Sequence, residues 1–184
     1  MPAPEKTTQE AIVAAGCELV ERHGIDGLTM NAVAERVGVR APSLDKRVRY
    51  RGELVDLVVG ATIEDLALVL RRAIDAVDDP REQLRSAARA LRSFGRGRPR
   101  SYELIFGPAR DASDMTRAAR GHAVAPVLSA CAALVGEERA LDAARLVTAW
   151  ANGFITMELA ESFQMGDDVD RAWAWGLERI VQAL

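Results

Sequence analysis

Apolar residues recur at intervals of three and four along almost the whole chain, and no stretch alternates apolar and polar with a period of two, so the pattern predicts an all-α fold of about nine helices. Thr7 and Glu10 have capping-box spacing and open a first helix to about His23, with Ile12, Ala15, Gly16, Leu19 and Val20 on its buried stripe. Gly24 ends it. Thr29 then stands as an N-cap before Met30, Val33, Ala34 and Val37, a short second stripe closed by Gly38. Pro42 sits where a first helical turn tolerates it, and Leu44 and Val48, four apart, point back at the second helix. Two short helices across a glycine-containing turn form a helix-turn-helix, whose second member enters a DNA major groove.

The rest is longer and more apolar. Residues 53–77 read as one helix with apolar positions on more than one side. Asp79-Pro80 opens a fifth helix through Phe94, which stops at Gly95-Arg96-Gly97. The Arg96-Gly97-Arg98-Pro99 string matches the core of an AT-hook, but a glycine- and proline-terminated helix end explains it equally simply. A short helix over 101–106, a polar loop over 109–113, and helices over 114–135, 137–163 and 169–184 complete the series.

Net charge is −3 over 184 residues, which does not mark a nucleic-acid binder, but its distribution does. Residues 36–51 hold six basic side chains against one acid, Asp45, whereas residues 103–184 hold twelve acids and seven bases. Local phosphate attraction without general stickiness needs such an arrangement. Cys17 and Cys131 lie in apolar helical runs and read as small buried hydrophobes rather than as a disulfide or metal site. The start of the chain does not resemble a secretory signal. The longest charge-free run, 121–136, is short for a membrane span and contains Pro126. The cytoplasm is the expected location. No cofactor is expected, and no phosphate loop, metal-ligand spacing or nucleophile with a base argues for an enzyme.

The residues Ala11-Ile12 to Gly24, Leu28-Thr29-Met30, Val33-Ala34, Gly38-Val39, Ser43-Leu44 and Glu53-Leu54-Val55 together resemble the N-terminal signature of the tetracycline-repressor (TetR) family of bacterial transcription regulators. The resemblance implies a helix-turn-helix domain over 1–52 and a ligand-binding and dimerisation domain over 53–184. It implies a homodimer on a near-palindromic operator in double-stranded DNA, most simply as a repressor that a ligand releases. The DNA-binding set it implies is Thr29, Arg40, Ala41, Ser43, Lys46, Arg47, Arg49 and Arg51, with Arg40, Ala41 and Ser43 toward base edges and Lys46, Arg47, Arg49 and Arg51 toward phosphates.

Three positions depart from the family pattern. Asp45 stands where a phosphate-contacting Tyr is usual, Arg47 where His is frequent, and Arg40 where a Ser or Thr would cap the recognition helix, which is therefore expected to be less ordered without DNA. Two readings of Asp45 stay open. Its carboxylate repels phosphate and weakens DNA binding, leaving a regulator-like protein that acts through ligand or protein contacts, or it accepts a hydrogen bond from a cytosine amino group.

Trp150-Ala151-Asn152-Gly153-Phe154 resembles a regulatory-domain subgroup that carries Trp-His-Gly, with Asn152 in place of His. This implies dimerisation through the last two helices and a small, largely apolar ligand. The candidate wall is Phe94, Tyr102, Phe106, Met115, His122, Trp150, Phe154 and Met157, each also readable as ordinary core.

Overall fold

A computed structural model describes residues 8–107, 114–166 and 168–184; Thr7, the loop over 109–113 and the side chain of Met115 lie outside the described residues. The described residues form eight α-helices and no strand: α1 (Gln9–His23), α2 (Met30–Val37), α3 (Arg51–Asp75), α4 (Pro80–Gly97), α5 (Pro99–Phe106), α6 (Asp114–Val135), α7 (Glu137–Leu159) and α8 (Val169–Gln182). The chain divides into two compact units, one of residues 1–64 with 98–119, the other of 65–97 with 120–184.

In the first unit the N-cap of α1 is Thr8, whose hydroxyl accepts from the Ala11 N–H at 3.2 Å. The Thr29 hydroxyl accepts from the Ala32 N–H at 3.1 Å and opens α2, and Gly38 closes it in the left-handed region at φ 77°, where a side chain would strain the backbone. Ile12, Val20, Leu28, Val33, Leu44, Val48, Leu54 and Val58 are buried together, so α1, α2, the segment after α2 and the start of α3 share one core. Helix α5 belongs to this unit. Tyr102 and Ile105 are buried, Leu104 packs on the same core, and the Glu21 carboxylate of α1 accepts from the Ser101 N–H (3.1 Å) and hydroxyl (2.7 Å).

The expected second helix of the helix-turn-helix is not an α-helix. Ala41–Ser43 is one 3-10 turn, followed by hydrogen-bonded turns to Arg47. Its physical cause is a weak start: Arg40 supplies no side-chain cap, no acid stands in the first turn, and Pro42 donates no N–H. Tertiary anchoring holds the segment instead, through the fully buried Leu44 and Val48.

In the second unit α4, α7 and α8 pack together. Helix α4 continues through Gly95-Arg96-Gly97, beyond its expected end, and Pro99 opens α5, so the Arg-Gly-Arg-Pro string is two helix ends. The Asp168 carboxylate caps α8, accepting from the Asp170 and Arg171 N–H groups. Trp150 of α7 stacks on Trp173 of α8 at 4.8 Å between centroids, and this needs Gly176: a Cβ there would lie 2.6 Å from Trp150 Cζ2. Gly176→Ala is therefore expected to lose about 1–3 kcal/mol to overpacking, more than the roughly 1 kcal/mol that alanine gains in a helix. Urea unfolding monitored by tryptophan fluorescence checks it; a variant as stable as the parent would contradict so close an approach. By length and composition alone Thr116–Val135 of α6 would reach across a membrane, a test that core helices of soluble proteins also pass.

Candidate nucleic-acid interface

The recognition segment is built from the buried side outward. The Ser43 N–H donates to the Arg40 carbonyl at 2.8 Å and the Leu44 N–H to the Ala41 carbonyl at 2.9 Å. The Arg47 and Val48 N–H groups then both donate to the Leu44 carbonyl, at 2.7 and 2.8 Å, closing a single helical turn over residues 44–48. With Leu44 and Val48 pinned inside, Ser43, Asp45, Lys46, Arg47 and Arg49 are exposed, as is Arg40 before them, while Ala41 is half-buried.

The basic residues divide by what they touch. Arg36 of α2 forms an ion pair with Glu18 of α1. Arg51, expected to reach phosphate, turns back: its Nε donates to the Leu28 carbonyl and one Nη to the Ile25 carbonyl, both at 2.8 Å. It thereby staples the start of α3 to the turn after α1. Nearby, the Glu53 carboxylate accepts from the Arg49 N–H at 2.8 Å, which fixes the entry to α3. Glu10 of α1 is held below the usual carboxylate range by hydrogen bonding to backbone, then by Thr8, with the Arg47 charge the smallest of these influences. Thr29 serves α2 as its cap. The exposed face comprises Arg40, Ser43, Asp45, Lys46, Arg47 and Arg49, with Tyr50 beside it.

The residues expected to line a ligand pocket fall in two places. Tyr102 and Phe106 of α5 meet at 4.6 Å in the first unit, where burial pushes the Tyr102 hydroxyl far above its usual range. Phe94, Trp150 and Phe154 are in the second, with Phe94 buried and Met157 and His122 exposed. Trp150 and Phe154 contact each other and Trp173.

Beside these rings lies a charge cluster that residue spacing did not reveal. Arg92 of α4 forms a two-point pair with Glu158 of α7 (2.9 and 2.6 Å) and approaches Asp170 of α8 at 2.7 Å. Its guanidinium lies 4.9 Å from the Trp173 ring centroid, and Arg96 reaches the same two carboxylates, each at 2.7 Å. The hydrogen bond from Arg92 is the chief cause that holds the Glu158 carboxyl below its ordinary value. In sequence, Arg92 and Arg96 look like two repelling charges one turn apart. The carboxylates that reconcile them are 62 to 78 residues further on.

Residues 12–46 match the model for bacterial regulatory proteins of the tetR family, and residues 84–180 match that for a tetracyclin repressor-like C-terminal domain. An uncharacterized HTH-type transcriptional regulator of Mycobacterium tuberculosis, Rv0681, is 31% identical over 172 residues, covering 91% of this chain and 76% of that protein. A protein of unknown function from Rhodococcus sp. RHA1 shares the fold with a TM-score of 0.86 at 20% identity, covering 100% of this chain and 98% of that one. A single-residue variant of TetR from Acinetobacter baumannii AYE, crystallised in complex with minocycline, superposes with a TM-score of 0.69 at 22% identity, covering 96% and 95%.

Proposed function

The chain belongs to the tetR family of bacterial regulatory proteins and is a DNA-binding transcriptional regulator, and from that premise we propose that it is a ligand-responsive repressor that binds a near-palindromic operator as a homodimer. The observation that carries the DNA contact is the recognition segment: two buried anchors, Leu44 and Val48, hold an exposed, mainly basic face. Lys46, Arg47 and Arg49 supply phosphate attraction, and Arg40, Ala41 and Ser43 stand toward base edges. Thr29 and Arg51 set the positions of α2 and α3. Functionally, residues 1–52 carry the DNA contacts and 53–184 the ligand and dimer contacts.

Regulators of this family bind operator DNA as dimers, and some bind small ligands. For this chain the dimer surface is assigned to α7 and α8, supported by Leu146 and Met157 exposed on one and Trp175, 67% exposed, on the other. A small, largely apolar ligand is assigned to the second unit near Phe94, Trp150 and Phe154, supported by the minocycline complex of a protein with the same fold. The ligand would act by changing operator affinity, with a coupling of about 1–3 kcal/mol. The cytoplasm, where the bacterial DNA lies, is the corresponding location.

Binding of the dimer to its own upstream intergenic DNA at a series of salt concentrations tests this. Six phosphate-directed side chains per dimer give an expected slope of log K against log salt of roughly −5. Upstream DNA should also be preferred over unrelated DNA of equal length. Equal affinity for both would overturn the operator reading.

A further inference from the structure

The chain passes between the two units at three places. Two of them lie inside continuous helices, α3 at residues 64–65 and α6 at 119–120. The third, at 97–98, lies between helices. Helix α4 ends at Gly97, α5 begins at Pro99, and only Arg98 stands between them, at φ −141° and ψ 66°, outside helical geometry. Pro99 has no N–H with which to continue the α4 ladder, and α5 starts its own where the Tyr102 N–H donates to the Arg98 carbonyl at 2.9 Å. A single non-helical residue between two helices can absorb a change of φ and ψ and redirect the chain, which is the property of a hinge.

Each side of this hinge is held within its own unit. On the α5 side Ser101, three residues on, gives its N–H and hydroxyl to Glu21 of α1. An Arg100 Nη lies 3.0 Å from where a Cβ on Gly24 would stand, against the end of α1. On the α4 side Arg96, two residues before the hinge, reaches Glu158 of α7 and Asp170 of α8, each at 2.7 Å. The grips on α4 differ in depth. Arg92 with Glu158 is buried and ties α4 to α7. The side chains of Arg96 and Asp170 are 47% and 64% exposed, and a pair so placed contributes little to stability. Its geometry is nonetheless specific: it lies at the last turn of α4 and joins that turn to the two helices assigned to the dimer surface.

We propose that Arg96, through Asp170 and Glu158, is a positioning residue for the operator. It fixes the α4 side of the hinge at Arg98 to the dimer helices and so sets the half-site spacing that the dimer accepts. This deepens the reading of the chain as a dimer on a two-half-site operator and rests on it. Spacing is read by the geometry between two recognition segments, so the clamp acts on spacing and leaves the contacts within each half-site as they are.

The test uses a duplex that the parent chain selects from random DNA. It is rebuilt with the half-sites one base pair closer, one base pair further apart, and as a single half-site. The proteins are the parent, Arg96→Met, Asp170→Ala and Asp170→Glu, each with a melting curve to confirm folding. Arg96→Met and Asp170→Ala should bind the single half-site as the parent does. Both should lose about fivefold in preference for the selected spacing, at the low end of couplings between sites. Asp170→Glu, which keeps the carboxylate, should stay near the parent. An equal loss for every duplex, the single half-site included, would make the pair a structural support only and overturn the proposal. A spacing preference unchanged in both variants would overturn it too. If the parent selects no paired half-sites, the dimeric operator reading itself fails, a result distinct from either.

Discussion

Glu158→Ala is expected to lower the stability of the second unit by about 3 kcal/mol. Removing one partner of a buried ion pair costs about 3–5 kcal/mol because it strands the other charge. Arg92 is that charge, its side chain 8% exposed against 12% for Glu158. The loss sits at the low end because Asp170 remains 2.7 Å away. A paired change, Arg92→Met with Glu158→Leu, should recover most of it, since apolar packing of similar volume replaces a buried pair at little cost. The pH dependence follows from the depressed carboxyl. Above its ordinary value of 4.5, Glu158 is charged in both folded and unfolded chains and its stabilisation is complete. As the pH falls below 4.5 the unfolded chain binds the proton first, and the stabilisation is lost as the pH passes through the lower folded value. Urea midpoints measured from neutral pH into this acid range should fall for the parent and flatten for Glu158→Gln. A parent profile with no such fall would show that the pair contributes nothing.

Leu44→Ala is expected to abolish operator binding. Truncating a fully buried leucine costs about 2–5 kcal/mol. Here the loss is concentrated, because residues 41–48 have no α-helical ladder and depend on two anchors. Leu44→Met, nearly equal in volume, should cost less than about 1.5 kcal/mol and keep binding. Fluorescence anisotropy with labelled operator reads the function, and helical circular dichroism shows whether the second unit stays folded while binding is lost. Operator affinity unchanged in Leu44→Ala would remove Leu44 from its anchoring role.

What was legible in the chain was what local spacing dictates. The stripe Met30, Val33, Ala34, Val37 became α2, capped by Thr29 and stopped by Gly38, because those signals lie within one or two turns of what they control. The segment after it was expected as a helix, though one left less ordered by its uncapped start at Arg40. Pro42 suits a first helical turn, but it says nothing about whether a hydrogen-bond ladder propagates beyond that turn, and here a missing cap stops it. The resemblance pointed Arg51 toward phosphate, and nothing local showed its intramolecular partners, because the carbonyls of Ile25 and Leu28 have no side-chain signature. Trp150 and Phe154 were recognisable as inward-facing, but periodicity does not say which ring meets which. Arg92 with Glu158 is beyond any local reading, because the two lie 66 residues apart.

Helix α5 makes the DNA-binding unit discontinuous in sequence. The chain leaves that unit along α3 and returns to it only at residue 98. A fragment cut at residue 64 would keep all of the recognition segment and lose the cover that Tyr102, Leu104 and the Ser101 link to Glu21 provide over α1. Grafting this headpiece onto another regulator, or exchanging it between relatives to move operator preference, therefore requires transplanting two separate segments. A swap limited to the amino-terminal third would join α1 to a foreign α5, and the side chain at position 21 is where the mismatch would first be felt.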